Sequence, residues 1–273
     1  MFRVTRAQLL AAFEKVGIQR GDGLLVHSAL QYLGQPQGGV DIYLQALFEV
    51  LGIELMAEGN REVSTGTLVA PTFNFGFARG ERYDPINTPS QGMGVLSELI
   101  RLHPRARRTP HPMQSLAAMG YYADDLASRD TLSAFDPGSA FERMLELDFR
   151  ILLLGADIQA ISLLHYAEQH TQVPYRYWKE FTGEVWTPSG WQTKIYRMYV
   201  RDLQLDPHID LQPVQRRLEE RQKWSSVRLN YGQVVYCRMV DFVTEVSEFL
   251  KKDPWSLVTN PPPRDSSPEK PRG

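Results

Sequence analysis

Three short apolar runs constrain this chain more than anything else in it: GLLVHS at 23–28, GTLVAPTF at 66–73 and RILLLG at 150–155. Each is bounded by glycine and rich in branched apolar residues, which reads as a strand buried on both faces. Between and after them, apolar residues recur at helical spacing. TRAQLLAAFEKVGI carries an N-cap at Thr5, and GVDIYLQALFEVLG is closed by Gly52. GVLSELIRLH stops before Pro104, and AISLLHYAEQHT stops before Pro174. SAFERMLEL starts at Ser139 with Glu142 three positions on, the spacing of a capping box. QPVQRRLEERQ and VDFVTEVSEFLKK supply late helices, and GEVWTPSGWQTKIYRMYV alternates around a PSG turn as a hairpin. Strands alternating with helices predict an α/β fold: a mixed, mainly parallel central sheet covered by helices, with an antiparallel hairpin extension. Residues 1–259 read as a single domain, and the proline-rich 260–273 as a disordered tail.

The composition removes several function classes. Net charge is −2 and no block of Lys or Arg stands alone, so neither a nucleic-acid groove nor a polybasic membrane patch is expected. The apolar runs fall far short of the ~20 residues that cross a bilayer. The start, MFRVTRAQLLAAFEKVG, scatters its charges and lacks a small-residue cleavage site, unlike a secretory signal. Cys237 is the single cysteine, so an internal disulfide and a thiolate metal cage are both excluded, and a reducing cytoplasm fits best. Cys237 sits in the strand-like QVVYCRMV with no histidine nearby and reads as buried filler. The G-x-S-x-G elbow, the Walker loop and the H-E-x-x-H pair are absent from the sequence. GMGVLS at 92–97 offers G-x-G-x-x-S without a convincing strand before it, and reads as a turn feeding a helix.

What remains is a set of histidines with small or polar neighbours. His165 and Glu168 lie three apart on a predicted helix, so they share one face. A carboxylate beside an imidazole fixes its tautomer and stabilises the imidazolium, which a general base needs. Spacing alone fits an ordinary i,i+3 pair equally well. Position favours the first reading, because the helix follows the strand ILLL, and α/β sites form beyond the carboxyl ends of strands. His27 and Ser28 end the first strand, where they either leave free backbone N–H groups to meet an anion or simply cap the strand end. Asn74 in PTFNF either binds a substrate hydroxyl or closes a turn. His111 and Ser115 sit in the proline-bounded loop RRTPHPMQS, which either lines a groove or is a structural turn. His103 and His208 read as surface residues, and His170 as a cation near a helix C-terminus.

GDGLLVHSALQYLG, GTLVAPTFNF, FDPGSAFERML, RILLLGAD and SLLHYAEQHTQVPYR, in that order, resemble the aminoglycoside 3-N-acetyltransferase family over residues 5–200, with features of a sugar-pathway relative. The resemblance implies transfer of acetyl from acetyl-CoA to a small-molecule amine in a ternary complex, with no metal. It implies His165 as base, with Glu168 and a later acid, Asp202, orienting it. It places His27, Ser28, Ala29 and Leu30 of HSAL against the cofactor, with His111, Ser115 and Ser139. Ala29 stands where the family often has Ser or Thr, so one hydroxyl contact is expected to be missing. Asn74, Asp84 and Glu98 are the expected substrate contacts. A polycationic acceptor needs an acidic rim, for which Glu81, Asp84, Glu98, Asp157 and Glu168 are available. Arg176 and Lys179 would repel it, which suits an amino sugar better. The rival readings are a catalytically silent scaffold of the same fold and a hydrolase that releases CoA without an amine. Self-association as a homodimer is left open.

Overall fold

The computed structural model describes residues 2–54 and 64–263. The expected tail beyond residue 263 lies outside the described residues. In chain order the elements are β1 (Arg3–Val4), α1 (Arg6–Val16), β2 (Gly23–Ser28), β3 (Gln35–Pro36), α2 (Asp41–Leu51), β4 (Thr67–Pro71) and α3 (Gly94–Leu102). There follow β5 (Arg107–Arg108), β6 (Leu116–Gly120), α4 (Ala123–Ala127), α5 (Ala140–Glu146), β7 (Arg150–Leu154) and α6 (Leu164–Thr171). The last third holds β8 (Arg176–Thr187), β9 (Gly190–Arg201), α7 (Gln212–Glu220), β10 (Ser225–Leu229), β11 (Gly232–Arg238) and α8 (Met239–Lys252).

The main sheet runs β10-β11-β7-β2-β4-β6-β5. Its parallel part is the centre, β7-β2-β4, and antiparallel strands extend it on both sides. The expected mixed α/β architecture with a hairpin extension is the one observed. Side chains that alternate along a strand point to opposite faces, and the central runs show this directly. Leu25, Ile151 and Leu153 join a cluster with Phe141, Ala167, Phe242 and Val246 from α5, α6 and α8. Leu24, Val26, Leu152 and Leu154 join another with Phe13, Leu47 and Ile100 from α1, α2 and α3. Helices on both faces are why these strands are apolar throughout. Replacing one such leucine by alanine costs about 2–5 kcal/mol. Cys237 belongs to the first cluster as buried filler.

Local chemistry fixes the ends. The Thr5 hydroxyl accepts the Gln8 N–H and the Gln8 side chain accepts the Thr5 N–H, a reciprocal cap on α1. Gly17 and Gly52 close α1 and α2 in the left-handed region, at φ of 98° and 71°. α6 is shorter than the predicted 160–171, because the stretch before it forms a 3-10 turn, Ile158–Ala160.

β8 and β9 pair antiparallel, separately from the main sheet. Their inner face places Val185 and Tyr196 against Phe77, Tyr83 and Met113. The ribbon begins seven residues before the predicted start at Gly183, so the whole of RYWKEF is strand. Most of Arg176–Phe181 is exposed, which erases the alternation that would have marked it.

Candidate active site

β2 and β7 are parallel neighbours with Ser28 opposite Leu154, so their carboxyl ends open at the same level. Two links carry α6 to that level. The chain turns at Gly155, where a Cβ would meet the Ala29 carbonyl at 2.5 Å, so only glycine fits. The Ser162 amide then donates to His27 Nε2 at 3.1 Å, with the Ser162 hydroxyl 3.0 Å from the same nitrogen. His27 is thus an acceptor at Nε2 and carries its proton on Nδ1. Burial pushes its pKa down to about 4, so it stays neutral at physiological pH. It anchors the start of α6 and is not exposed to a cofactor.

One turn along α6 stand His165 and Glu168. His165 Nδ1 lies 2.8 Å from Glu168 Oε2. Arg176, the first residue of β8, brings Nε to 2.9 Å from the same carboxylate oxygen, with its N–H not aimed along that line. Its Nη2 lies 3.1 Å from His165 Nδ1, and its Nη1 donates to the Tyr199 carbonyl at 3.1 Å. The Glu168 side chain is fully buried, that of Arg176 is 11% exposed and that of His165 is 37% exposed. Burial works to raise the Glu168 pKa, but its contacts with His165 and Arg176 outweigh this and hold it below the ordinary carboxylate value. Glu168 is therefore a carboxylate, an acceptor only. With its proton on Nδ1 the ring donates to Glu168 and keeps the lone pair on Nε2, and the approach of Arg176 Nη2 to Nδ1 is then one donor beside another and no hydrogen bond.

The His165 ring lines a cavity of about 150 Å³, closed by Phe75, Gln114, Phe135 and β9 residues Met198 to Arg201. The volume suits the reacting ends of two molecules rather than a whole oligosaccharide. Arg176 was read from sequence only as a repulsive charge. In the structure its guanidinium lies against the buried Glu168 carboxylate, so the cavity does not face an unpaired cation there. No signal along the sequence marked this contact, since the two residues are eight apart and in different elements.

The other expected site residues fall into two groups. Ser28, Ala29 and Leu30 remain at the carboxyl end of β2, half-buried, where α3 begins without a side-chain cap. The Ser28 carbonyl lies 3.4 Å from where a Gly94 Cβ would stand, so the two segments approach closely. The rest hold the frame. Ser115 is fully buried, its hydroxyl donating to the Thr72 carbonyl at 2.9 Å and accepting from Arg108 Nε at 3.0 Å. Its hydroxyl is thus engaged within the frame, where the sequence reading expects a cofactor contact. His111 is buried edge-on to Tyr196 and accepts the Gln114 amide at Nδ1. Burial pushes its pKa to about 4, against a weaker opposing pull from Asp130 and Asp136. Ser139 is the N-cap of α5, accepting from the Glu142 amide. Asn74 closes a turn, accepting from Gly76 N–H at 2.7 Å and donating to the Pro89 carbonyl at 2.8 Å.

Asp84 and Glu98, expected to meet substrate, are likewise occupied. Asp84 accepts from the amides of Ile86 and Asn87. Burial tends to raise the Glu98 pKa, but hydrogen bonds from Arg101 and Ser90 prevail and hold it down to about 2. Asp202 follows β9 with its carboxylate accepting the Gln204 amide at 2.8 Å, while Glu168 meets His165 Nδ1 at 2.8 Å. His170 donates to the Phe135 carbonyl and stacks on Tyr166 rather than serving the helix dipole alone. No helix of the described residues is long and apolar enough to cross a membrane.

Comparison with known proteins identifies the family and the fold. Residues 25–251 match the model of the aminoglycoside 3-N-acetyltransferase family. Aminoglycoside N(3)-acetyltransferase III from Salmonella sp is 32% identical over 199 residues, covering 69% of this chain and 70% of that protein. Aminoglycoside N(3)-acetyltransferase VII from Streptomyces paromomycinus is 32% identical over 183 residues, covering 63% and 62%. Among solved structures, AAC-IIIb in binary complex with CoASH is similar at a TM-score of 0.78 and 20% identity, over 96% of this chain and 100% of that one. The apoenzyme of aminoglycoside acetyltransferase AAC(3)-IVa gives 0.74 and 24%, over 94% and 92%. At these identities the structural likeness speaks for the fold.

Proposed function

The chain belongs to the aminoglycoside 3-N-acetyltransferase family, and from that premise we propose that it moves acetyl from acetyl-CoA to a primary amine of an aminoglycoside or amino sugar, with His165 as general base. One observation carries the assignment of the base: a half-exposed imidazole at a cavity, with Nδ1 held by a buried carboxylate that an arginine accompanies. An ordinary surface i,i+3 pair requires no buried carboxylate and no third partner.

The residues then act in sequence. His165 Nε2 accepts the proton that the acceptor ammonium must lose before its nitrogen attacks. Glu168 stabilises the imidazolium so formed, and Arg176 keeps Glu168 ionised and in place. Acetyl-CoA, when bound, supplies the activated acyl carbon and the thiol leaving group. The carboxyl end of β2 fits such a molecule, because the uncapped start of α3 keeps its first-turn N–H groups as donors for carbonyl or phosphate oxygens. Ser28, Ala29 and Leu30 are the side of that groove. Ser115 is buried with its hydroxyl engaged by Thr72 and Arg108, which favours backbone N–H groups and the half-buried Ser28 as oxyanion donors. Both substrates are held at once, since Cys237 is buried in the core and burial raises its thiol pKa, so it is no acyl carrier.

The test is thiol release from acetyl-CoA against a panel of aminoglycosides and amino sugars, with initial rates at several fixed concentrations of each substrate. Release that requires an amine, with intersecting rate patterns, is expected. Release without an amine contradicts the transferase reading, parallel lines contradict the ternary complex, and no release with any amine favours the silent scaffold.

A further inference from the structure

A cavity of about 460 Å³, three times the volume of the one at His165, lies at the other side of the loop that follows β7. Nothing in the reaction described above uses it. Its lining includes the side chains Tyr32, Asp157, Arg228 and Tyr231 and the glycines Gly155 and Gly232, whose backbones we take as its floor. The volume is within the range of small-molecule sites.

The walls are tied to one another. Asn230, in the left-handed region at φ 56°, donates from Nδ2 to the Leu33 carbonyl at 2.6 Å and to the Arg3 carbonyl at 3.1 Å. That joins the β10–β11 turn, which bears Tyr231, to the 3-10 turn that bears Tyr32. The Gly155 amide donates to the Gln233 carbonyl at 2.8 Å, which fixes the floor. A Cβ on Gly232 would meet Tyr32 Cβ at 3.1 Å and Gly155 Cα at 3.2 Å, so the floor stays flat only with glycine. On this rigid frame Tyr32 is 52% and Tyr231 64% exposed. Two large rings held in solvent by fixed backbone present π faces that folding does not use. Phe2 meets Tyr231 edge-on, with centroids 4.9 Å apart, and steadies it.

The polar groups are complementary in sign. Asp157 accepts the Gln159 amide at Oδ1 and leaves Oδ2 as an acceptor. Arg228 donates from Nε to the Asn230 carbonyl at 3.3 Å and forms no ion pair among the described residues. We propose that this cavity binds a nucleoside phosphate: the base lies on the glycine floor between Tyr32 and Tyr231, its N–H edge donates to Asp157, and its phosphate meets Arg228. Stacking of bases on aromatic rings and pairing of phosphate with arginine are the forces required. Two molecules carry this chemistry, the nucleotide end of CoA and a separate nucleotide or nucleotide-linked sugar. With a separate nucleotide the site goes beyond acetyl transfer, and with the nucleotide end of CoA it rests on the function proposed above.

Calorimetric titration of the full chain with ADP, GDP, adenosine and inorganic pyrophosphate tests it. ADP or GDP is expected to bind with a Kd below about 1 mM, and adenosine and pyrophosphate more weakly. Tyr231→Ala and Arg228→Gln should each weaken binding at least tenfold, with the melting temperature unchanged. Asp157→Asn keeps the Gln159 contact and should weaken GDP. Displacement of the nucleotide by CoA but not by pantetheine assigns it to the acetyl donor, and binding indifferent to CoA assigns a separate nucleotide; either outcome sustains the site. The proposal is overturned if neither nucleotide binds, or if both wall variants bind as tightly as the wild type.

Discussion

Two glutamates of this fold are equally inaccessible, and their surroundings differ in one respect that matters. Glu245, on α8, is met by Arg221 Nη1 at 2.6 Å, from the C-cap of α7, and by Arg217 Nη1 at 3.8 Å, from α7 itself. Glu168, on α6, is met by Arg176 at 2.9 Å and by the His165 ring at 2.8 Å. Each satisfies the same requirement, since a buried carboxylate needs a cation and hydrogen bonds. At Glu245 the partners are two guanidiniums that never lose their charge, so the cluster ties two helices together and does nothing more. At Glu168 one partner is an imidazole that lines a cavity and can carry a proton between a ligand and solvent. The same buried acid is structural in one place and suited to catalysis in the other because of what it touches.

Substitution separates the two. Glu168→Gln removes the acceptor that fixes the His165 tautomer, and kcat is expected to fall about 100-fold or more. An unchanged kcat would reduce Glu168 to the role of Glu245. Arg176→Gln should lower both kcat and the melting temperature, and shift the acid limb of the pH–rate profile, which a purely structural role would not move. Glu245→Gln is expected to lower the melting temperature by several degrees while kcat stays within about twofold. A large kcat loss there would end the contrast.

Acid sharpens the comparison further. His27 and His111 have folded pKa values near 4 against 6.5 for the free ring. The unfolded chain then binds more protons between those values, so stability falls as pH drops from 6.5 towards 4, by at most about 3 kcal/mol for each. Glu168 has a depressed pKa, so its contribution is present above the ordinary carboxylate value and is lost as pH falls below it. Denaturant titrations should show a first decline above pH 4 that His27→Gln reduces, and a second below it that Glu168→Gln reduces. Cys237 gives the smallest effect: its buried thiol should react with a thiol reagent only after unfolding.

The sequence made the frame and half the site legible for identifiable reasons. GLLVHS and RILLLG are apolar on every residue of the strand centre because helices cover both faces, and His165 and Glu168 share a helix whose period brings them together. Contacts between distant segments left no such trace. Ser162 with His27, Arg108 with Thr72 and Ser115, and Arg176 with Glu168 depend on how separate elements pack. Asn74 and Ser115 stand near strand ends and Glu98 is an acid on α3, so each reads as a ligand contact, and in the fold each also holds the backbone that surrounds it. Whether Asp202 lies near His165 depends on how the ribbon packs, which residue spacing does not carry.

The most direct test of His165 as base is turnover of His165→Ala with an amine the wild type acetylates, alongside calorimetry of acetyl-CoA binding. A rate at least ~100-fold lower, with acetyl-CoA bound as tightly as before, is the predicted result. Full turnover by the variant would contradict the account.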